Sequence, residues 1–190
     1  DVFYYITLGN ENYRQPAMPE GAREGILKGM YRLQASPIPG KPKGPRANLL
    51  GSGAILNEVV KAQEILAEKY DIPSDVFAVT SYTELRREAL DVERWNLLNP
   101  GAEAKVPYVT QALSSGTGGV FVAASDYMKV LADGIAKWIP GPSLSLGTDG
   151  FGRSETRTAL RDFFEVDARH ITLAALSALA RAGEVPMELV

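Results

Sequence analysis

Four short apolar runs, each followed by a stretch with helical periodicity, set the fold class of this chain. They are Asn48–Gly51, Asp75–Thr80, Val120–Ala124 and Ser143–Leu146. Val120–Ala124 is wholly apolar, and of the four only the short Ser143–Leu146 alternates, so helices are predicted on both faces of the sheet. The intervening segments read as helices. Ile55, Leu56, Val59, Val60, Ile65 and Leu66 form a stripe after Ser52-Gly53, spaced for one helix face. Ser81 and Glu84 have capping-box spacing ahead of a helix running toward Trp95. Ser125-Asp126 is read as the cap of a helix carrying Met128, Val130, Leu131, Ile135 and Trp138. A helix over 156–164 turns Leu160, Phe163 and Phe164 inward, and Asp167 caps a last helix ended by Gly183. Strands separated by helices run parallel through right-handed crossovers. The prediction is a three-layer α/β/α sandwich of about four parallel strands, with residues 29–33 adding an edge strand.

The ends of this pattern are less regular. Val2–Ile6 is apolar and aromatic, so residues 1–7 read as a strand buried on both faces. The chain starts at Asp1 with that strand and no lead-in, so we expect a C-terminal piece of something larger, with residues 1–27 as the end of a preceding domain plus linker and 28–190 as the domain proper. Ser36–Pro45 carries four prolines and two glycines and is expected to be an exposed loop. Val106–Leu113 is ambiguous, and Ser114–Gly119 is a small-residue loop.

Composition removes several chemistries. The 190 residues contain no cysteine, which excludes disulfides and thiolate nucleophiles and fits a reducing, cytoplasmic setting. One histidine, His170, excludes a multi-histidine metal site within the chain. A net charge of -3 gives no pull toward nucleic acid or an anionic membrane. No apolar run reaches the ~20 residues a membrane helix needs.

The most suggestive loop is Gly147-Thr-Asp-Gly-Phe-Gly-Arg-Ser154. It differs from a phosphate-cradling loop chiefly by Arg153 at the lysine position. Arg does not replace a compact ammonium there, and only helices follow the loop. A strand-to-helix turn needing its three glycines is the better reading. Gly51-Ser52-Gly53 and Ser125-Asp126 are further strand-to-helix junctions, and Ser52 reads as a turn cap or as an anion contact. Strand ends on one side of a parallel sheet form a crevice where ligands sit. The candidate interface or anion contacts are therefore Ser52, Asp126, Asp149, Phe151, Arg153 and Ser154. His170 near Asp167 reads as a solvated helix-end residue, residues 84–94 as a mixed-charge face, and Trp95 as either an anchor or core. No nucleophile, acid–base pair or metal cluster stands out, as expected for a noncatalytic domain.

An ordered set of segments then points further. It comprises Tyr4-Tyr-Ile-Thr7, Asn10-Glu-Asn-Tyr13, Pro16–Gly21, Leu49–Ala54, Ser74-Asp-Val76, Val79-Thr-Ser81, Thr83-Glu-Leu85, Glu93-Arg-Trp-Asn96, Val106-Pro-Tyr108, Ser125–Lys129, Leu146–Ser154 and Phe164–Asp167. Together they resemble the C-terminal domain of the homodimeric, bacterial-type pyruvate dehydrogenase decarboxylase components, which are transketolase-like thiamine-diphosphate enzymes. The local departures are Gly9, the proline-rich loop at 36–45 and the loop at 114–119. The resemblance implies a transketolase C-terminal fold with five strands, one of them an antiparallel edge. It implies a parent enzyme that uses thiamine diphosphate and magnesium to decarboxylate pyruvate and acetylate a lipoyl group. The implied partners are the preceding domains, a second subunit and the dihydrolipoyl acyltransferase component, with no nucleic acid and no membrane. The resemblance carries no catalytic, cofactor-binding or metal residue into this chain, and a structural role is what it implies.

Overall fold

A computed structural model describes residues 3–6, 9–13, 15–39, 44–114 and 118–190. Five strands form one sheet: β1 (Met30–Gln34), β2 (Ala47–Gly51), β3 (Ser74–Val79), β4 (Val120–Ala124) and β5 (Ser143–Leu146), in the order β1-β3-β2-β4-β5. β2 is parallel to both β3 and β4, and β4 is parallel to β5. β1 lies antiparallel on β3 at the edge, the place expected for residues 29–33. Around the sheet are α1 (Arg23–Lys28), α2 (Leu56–Tyr70), α3 (Tyr82–Leu98), α4 (Tyr108–Ser114), α5 (Lys129–Asp133), α6 (Arg157–Phe163) and α7 (Ala168–Arg181).

The strand pleat divides the core into two layers. Leu49, Val76 and Val122 turn to one face and meet Val59, Ala62 and Leu66 of α2 and Ile171, Ala175 and Leu179 of α7. Leu50, Phe77 and Phe121 turn to the other and meet Leu85 of α3, Val109 and Leu113 of α4, and Ile135. Each fully buried aliphatic or aromatic side chain stabilises the fold by about 1.5–3 kcal/mol relative to exposure. This two-sided cover is why β2, β3 and β4 are buried at every position. Some buried polar atoms are bonded: Asn48 Nδ2 donates to the Gly118 carbonyl at 3.0 Å, and Gln63 Nε2 donates to the Ser74 carbonyl at 2.6 Å, whereas Asn48 Oδ1, Ser74 Oγ and the Tyr82 hydroxyl have no partner among the described residues. Of the ambiguous residues 106–113, those from Tyr108 onward form the helix α4.

Several local expectations change. Residues 3–6 form no strand and are exposed, Phe3 at 93%, because all five places in the sheet are filled by other segments and neither β1 nor β5 pairs with them. Residues 1, 2 and 7 of that expected strand lie outside the described residues, as do 40–43 and 115–117 of the two loops. The capping box at Ser81 is half made. Ser81 Oγ accepts the Glu84 amide at 3.1 Å, but the Ser81 amide already donates to the Gly29 carbonyl, and Glu84 turns to Arg87 instead. Ser125-Asp126 caps no helix, since α5 starts only at Lys129, so Met128, Val130 and Leu131 stay exposed while Ala132 and Ile135 are buried. Phe163 points outward at 60% exposure, and Phe164 packs against the core in its place. Among the described residues no helix is long and apolar enough to cross a membrane.

Candidate functional site

The chain leaves β2 toward β3 through α2 on one face, and leaves β4 toward β5 through α5 on the other. β2 and β4 are neighbours, so their carboxyl ends flank the point where the sheet changes direction. Crevices at such points are where open α/β sheets bind ligands. Here the ends are stitched together. The Ser52 amide donates to the Ala124 carbonyl at 3.3 Å, and the Ser125 amide donates to the Leu146 carbonyl at 3.2 Å. Ser52 Oγ donates to Ser125 Oγ at 2.8 Å, and Ser125 Oγ also accepts the Tyr127 amide at 3.1 Å. Ser52 is therefore committed across strands and caps no helix, contrary to the turn-cap expectation.

A cleft of about 230 Å³ opens above these ends. Ala54 and Ile55 form its floor after β2, Asp126 stands after β4, and Leu160 and Phe164 supply an apolar wall. Arg153, Arg157 and Arg161 bring three guanidiniums to it. Arg161 grips Glu11 with two donors, at 2.5 and 3.2 Å, and stands 3.6 Å from buried Glu58. Arg157 donates to Asn10 Oδ1 and lies 3.7 Å from Glu11. The Arg161 hydrogen bonds hold the Glu11 carboxyl below the usual carboxylate range. Glu58 accepts Lys61 at 2.8 Å and the Ala168 amide at 3.2 Å, which joins α2 to the start of α7. Arg153 makes no ion pair among the described residues and stacks over Phe163, 5.2 Å from its centroid.

The predicted site residues separate in space. Only Asp126 and Arg153 share the cleft. Asp149 instead accepts the Lys129 amide at 3.0 Å and pairs with its ammonium at 3.5 Å. Phe151, 95% exposed, and Ser154 do not line the cleft. The loop between β5 and α6 does not need all three glycines. A Cβ on Gly147 would meet the Tyr127 carbonyl at 2.5 Å, and Gly150 has φ +79, whereas Gly152 has neither constraint. The loop amide of Thr148 is spent on the Tyr127 carbonyl at 2.9 Å.

The remaining candidates are structural contacts. Asp167 caps α7 by accepting the amides of Arg169 and His170, and His170 Nδ1 sits 2.9 Å from the same carboxylate. Burial raises the Asp167 carboxyl, but its bonds to His170 and Arg169 outweigh that and hold it below the usual range. The charged face of α3 is less solvated than its composition suggests. Glu88 accepts the Tyr108 amide at 2.9 Å and Glu93 accepts Trp138 Nε1 at 2.9 Å, so both tie α3 to its neighbours. Trp95 is half-buried beneath the Lys105 ammonium, 4.0 Å from its centroid.

Sequence reasoning missed Asn10, Glu11, Arg157 and Arg161. The available signal was the i, i+4 spacing of the two arginines, which places both on one side of α6.

Comparison with known proteins agrees with this fold. The transketolase-like TK C-terminal domain family matches residues 29–167. Over 191 aligned positions the chain is 50% identical to the pyruvate dehydrogenase E1 components of Pseudomonas aeruginosa and Escherichia coli K12. The match covers 100% of this chain and 21% of each relative, so the chain spans about a fifth of their length. Among solved structures, transketolase from Leishmania mexicana superposes with a TM-score of 0.54 at 17% identity, over 83% of this chain and 19% of that one. Transketolase from Campylobacter jejuni superposes at 0.52 and 16% identity, over 86% and 20%. At these identities the superpositions speak to the fold alone. The chain belongs to the transketolase-like C-terminal domain family.

Proposed function

We propose that this chain is the noncatalytic C-terminal domain of a cytoplasmic pyruvate dehydrogenase decarboxylating component. The observation that carries the reading is 50% identity along the whole chain to proteins of that name. In this reading residues 1–27 are the end of a preceding domain and linker, and 28–190 form the domain. The parent enzyme uses thiamine diphosphate and magnesium held by other domains, decarboxylates pyruvate and passes the acetyl group to a lipoyl group on the acyltransferase component. The C-terminal domain supplies no cofactor ligand in this scheme. Its task is to pack against the other domains and a second subunit. Tyr127, Met128, Val130 and Leu131, exposed in a row after β4, give that packing an apolar surface. Calorimetry tests the assignment: magnesium should not promote thiamine diphosphate binding to the isolated chain, and tight, stoichiometric, magnesium-dependent binding would overturn it.

A further inference from the structure

We infer that the cleft at the β2–β4 switch point is a binding site for a small dianion of the phosphate class, and that Glu11 is its built-in competitor. The site rests on side-chain charge rather than on a helix end. Arg153, Arg157 and Arg161 all reach the cleft. Buried Glu58 is matched by Lys61, at 2.8 Å. That leaves Asp126 and Glu11 against three guanidiniums, with one cation in excess. When Glu11 withdraws, two positive charges are unmatched, which suits a dianion. Guanidiniums are also the donors whose planar fork fits phosphate oxygens.

The arginines are not equivalent, and the difference defines how the site works. Arg161 is fixed on both sides, by Glu11 and Glu58. Arg157 is held by Asn10 and only loosely by Glu11, at 3.7 Å. Arg153 has no carboxylate partner among the described residues and rests on an exposed aromatic ring, from which it can swing. A dianion entering the cleft would take Arg153 first, then replace Glu11 on Arg157 and Arg161. The floor and apolar wall, Ile55, Leu160 and Phe164, exclude water from one side and strengthen those bonds. The volume of about 230 Å³ is below that of most drug-sized pockets, which commits the site to a small ligand. Because Asn10 and Glu11 belong to the segment leading into the domain, occupancy would release that segment from α6.

Inorganic phosphate is the probe, titrated by calorimetry into the full chain at low ionic strength. Removing the competitor in Glu11→Gln should tighten phosphate binding about tenfold, as expected for replacing a charge-assisted rival. Removing the wall anion in Asp126→Asn should also tighten it. Arg153→Ala in the Glu11→Gln background should weaken it about tenfold while the unfolding midpoint stays unchanged, since Arg153 is exposed. The inference is overturned if Glu11→Gln binds phosphate no more tightly than the parent chain, or if Arg153→Ala leaves binding unchanged.

Discussion

Arg46 and Asp75 form a guanidinium–carboxylate pair at 2.7 Å just before β2 and within β3, with the Asp75 side chain only 2% exposed. The other Asp75 oxygen accepts the Ser36 amide at 2.8 Å, beyond the end of β1. One carboxylate therefore ties together the amino end of the sheet across three neighbouring strands. Removing either charge strands the other away from water. Arg46→Ala should destabilise the chain by about 3–5 kcal/mol, the usual consequence of breaking a buried pair. The midpoint of urea unfolding checks this, and a change below about 1 kcal/mol would contradict the assigned role.

Asp167 is predicted to contribute through its cap and in a pH-dependent way. Asp167→Ala should lose about 0.5–2 kcal/mol at neutral pH. The folded carboxyl titrates below its ordinary value. Its contribution is thus present above the unfolded value and is lost as pH falls through the folded one. Parent and variant stabilities should converge below about pH 4, the ordinary aspartate range. Unfolding curves at several pH values measure the gap.

The loop after β5 gives a paired test of backbone constraint. Gly147→Ala places a Cβ 2.5 Å from the Tyr127 carbonyl and 2.9 Å from the Lys129 amide, both backbone atoms. It should cost about 1–3 kcal/mol, as overpacking does. Gly152→Ala meets nothing within 4 Å and has no left-handed backbone, so it should be neutral or stabilise by about 0.4–1 kcal/mol. Thermal unfolding of the two variants side by side separates them.

The row after β4 separates docking from folding. Val130 is 61% exposed, so Val130→Asp should leave the unfolding midpoint within about 0.5 kcal/mol of the parent. In the proposed role it should nevertheless weaken docking, measured by co-purification with a bacterial relative truncated by the stretch that matches this chain.

The sheet was legible because its signal is local. Leu49-Leu50, Val76–Val79 and Val120–Ala124 are apolar runs too short for helices, and the helical stripes between them leave few ways to cover both faces. Residues 3–6 carry the same signal and yet are exposed, because hydrophobicity states a need for cover and not whether cover is present. Ser125 looked like a cap because a hydroxyl preceded an apolar stretch, but its oxygen was already claimed by Ser52 and the Tyr127 amide. The cleft was only half visible. Arg153 sits in a conspicuous loop, whereas Arg157 and Arg161 read as ordinary helix-surface charges. Their partner Glu11 lies 150 residues away from Arg161, beyond any spacing rule.

In the proposed role this chain organises a catalyst without containing one. Reconstitution tests it most directly: a bacterial relative truncated by the stretch that matches this chain is mixed with the purified chain, and pyruvate-dependent acetylation of a lipoyl group is followed. Neither part should be active alone, and mixing should restore turnover. Pyruvate decarboxylation by this chain alone, or full activity of the truncated relative without it, would contradict the proposed role.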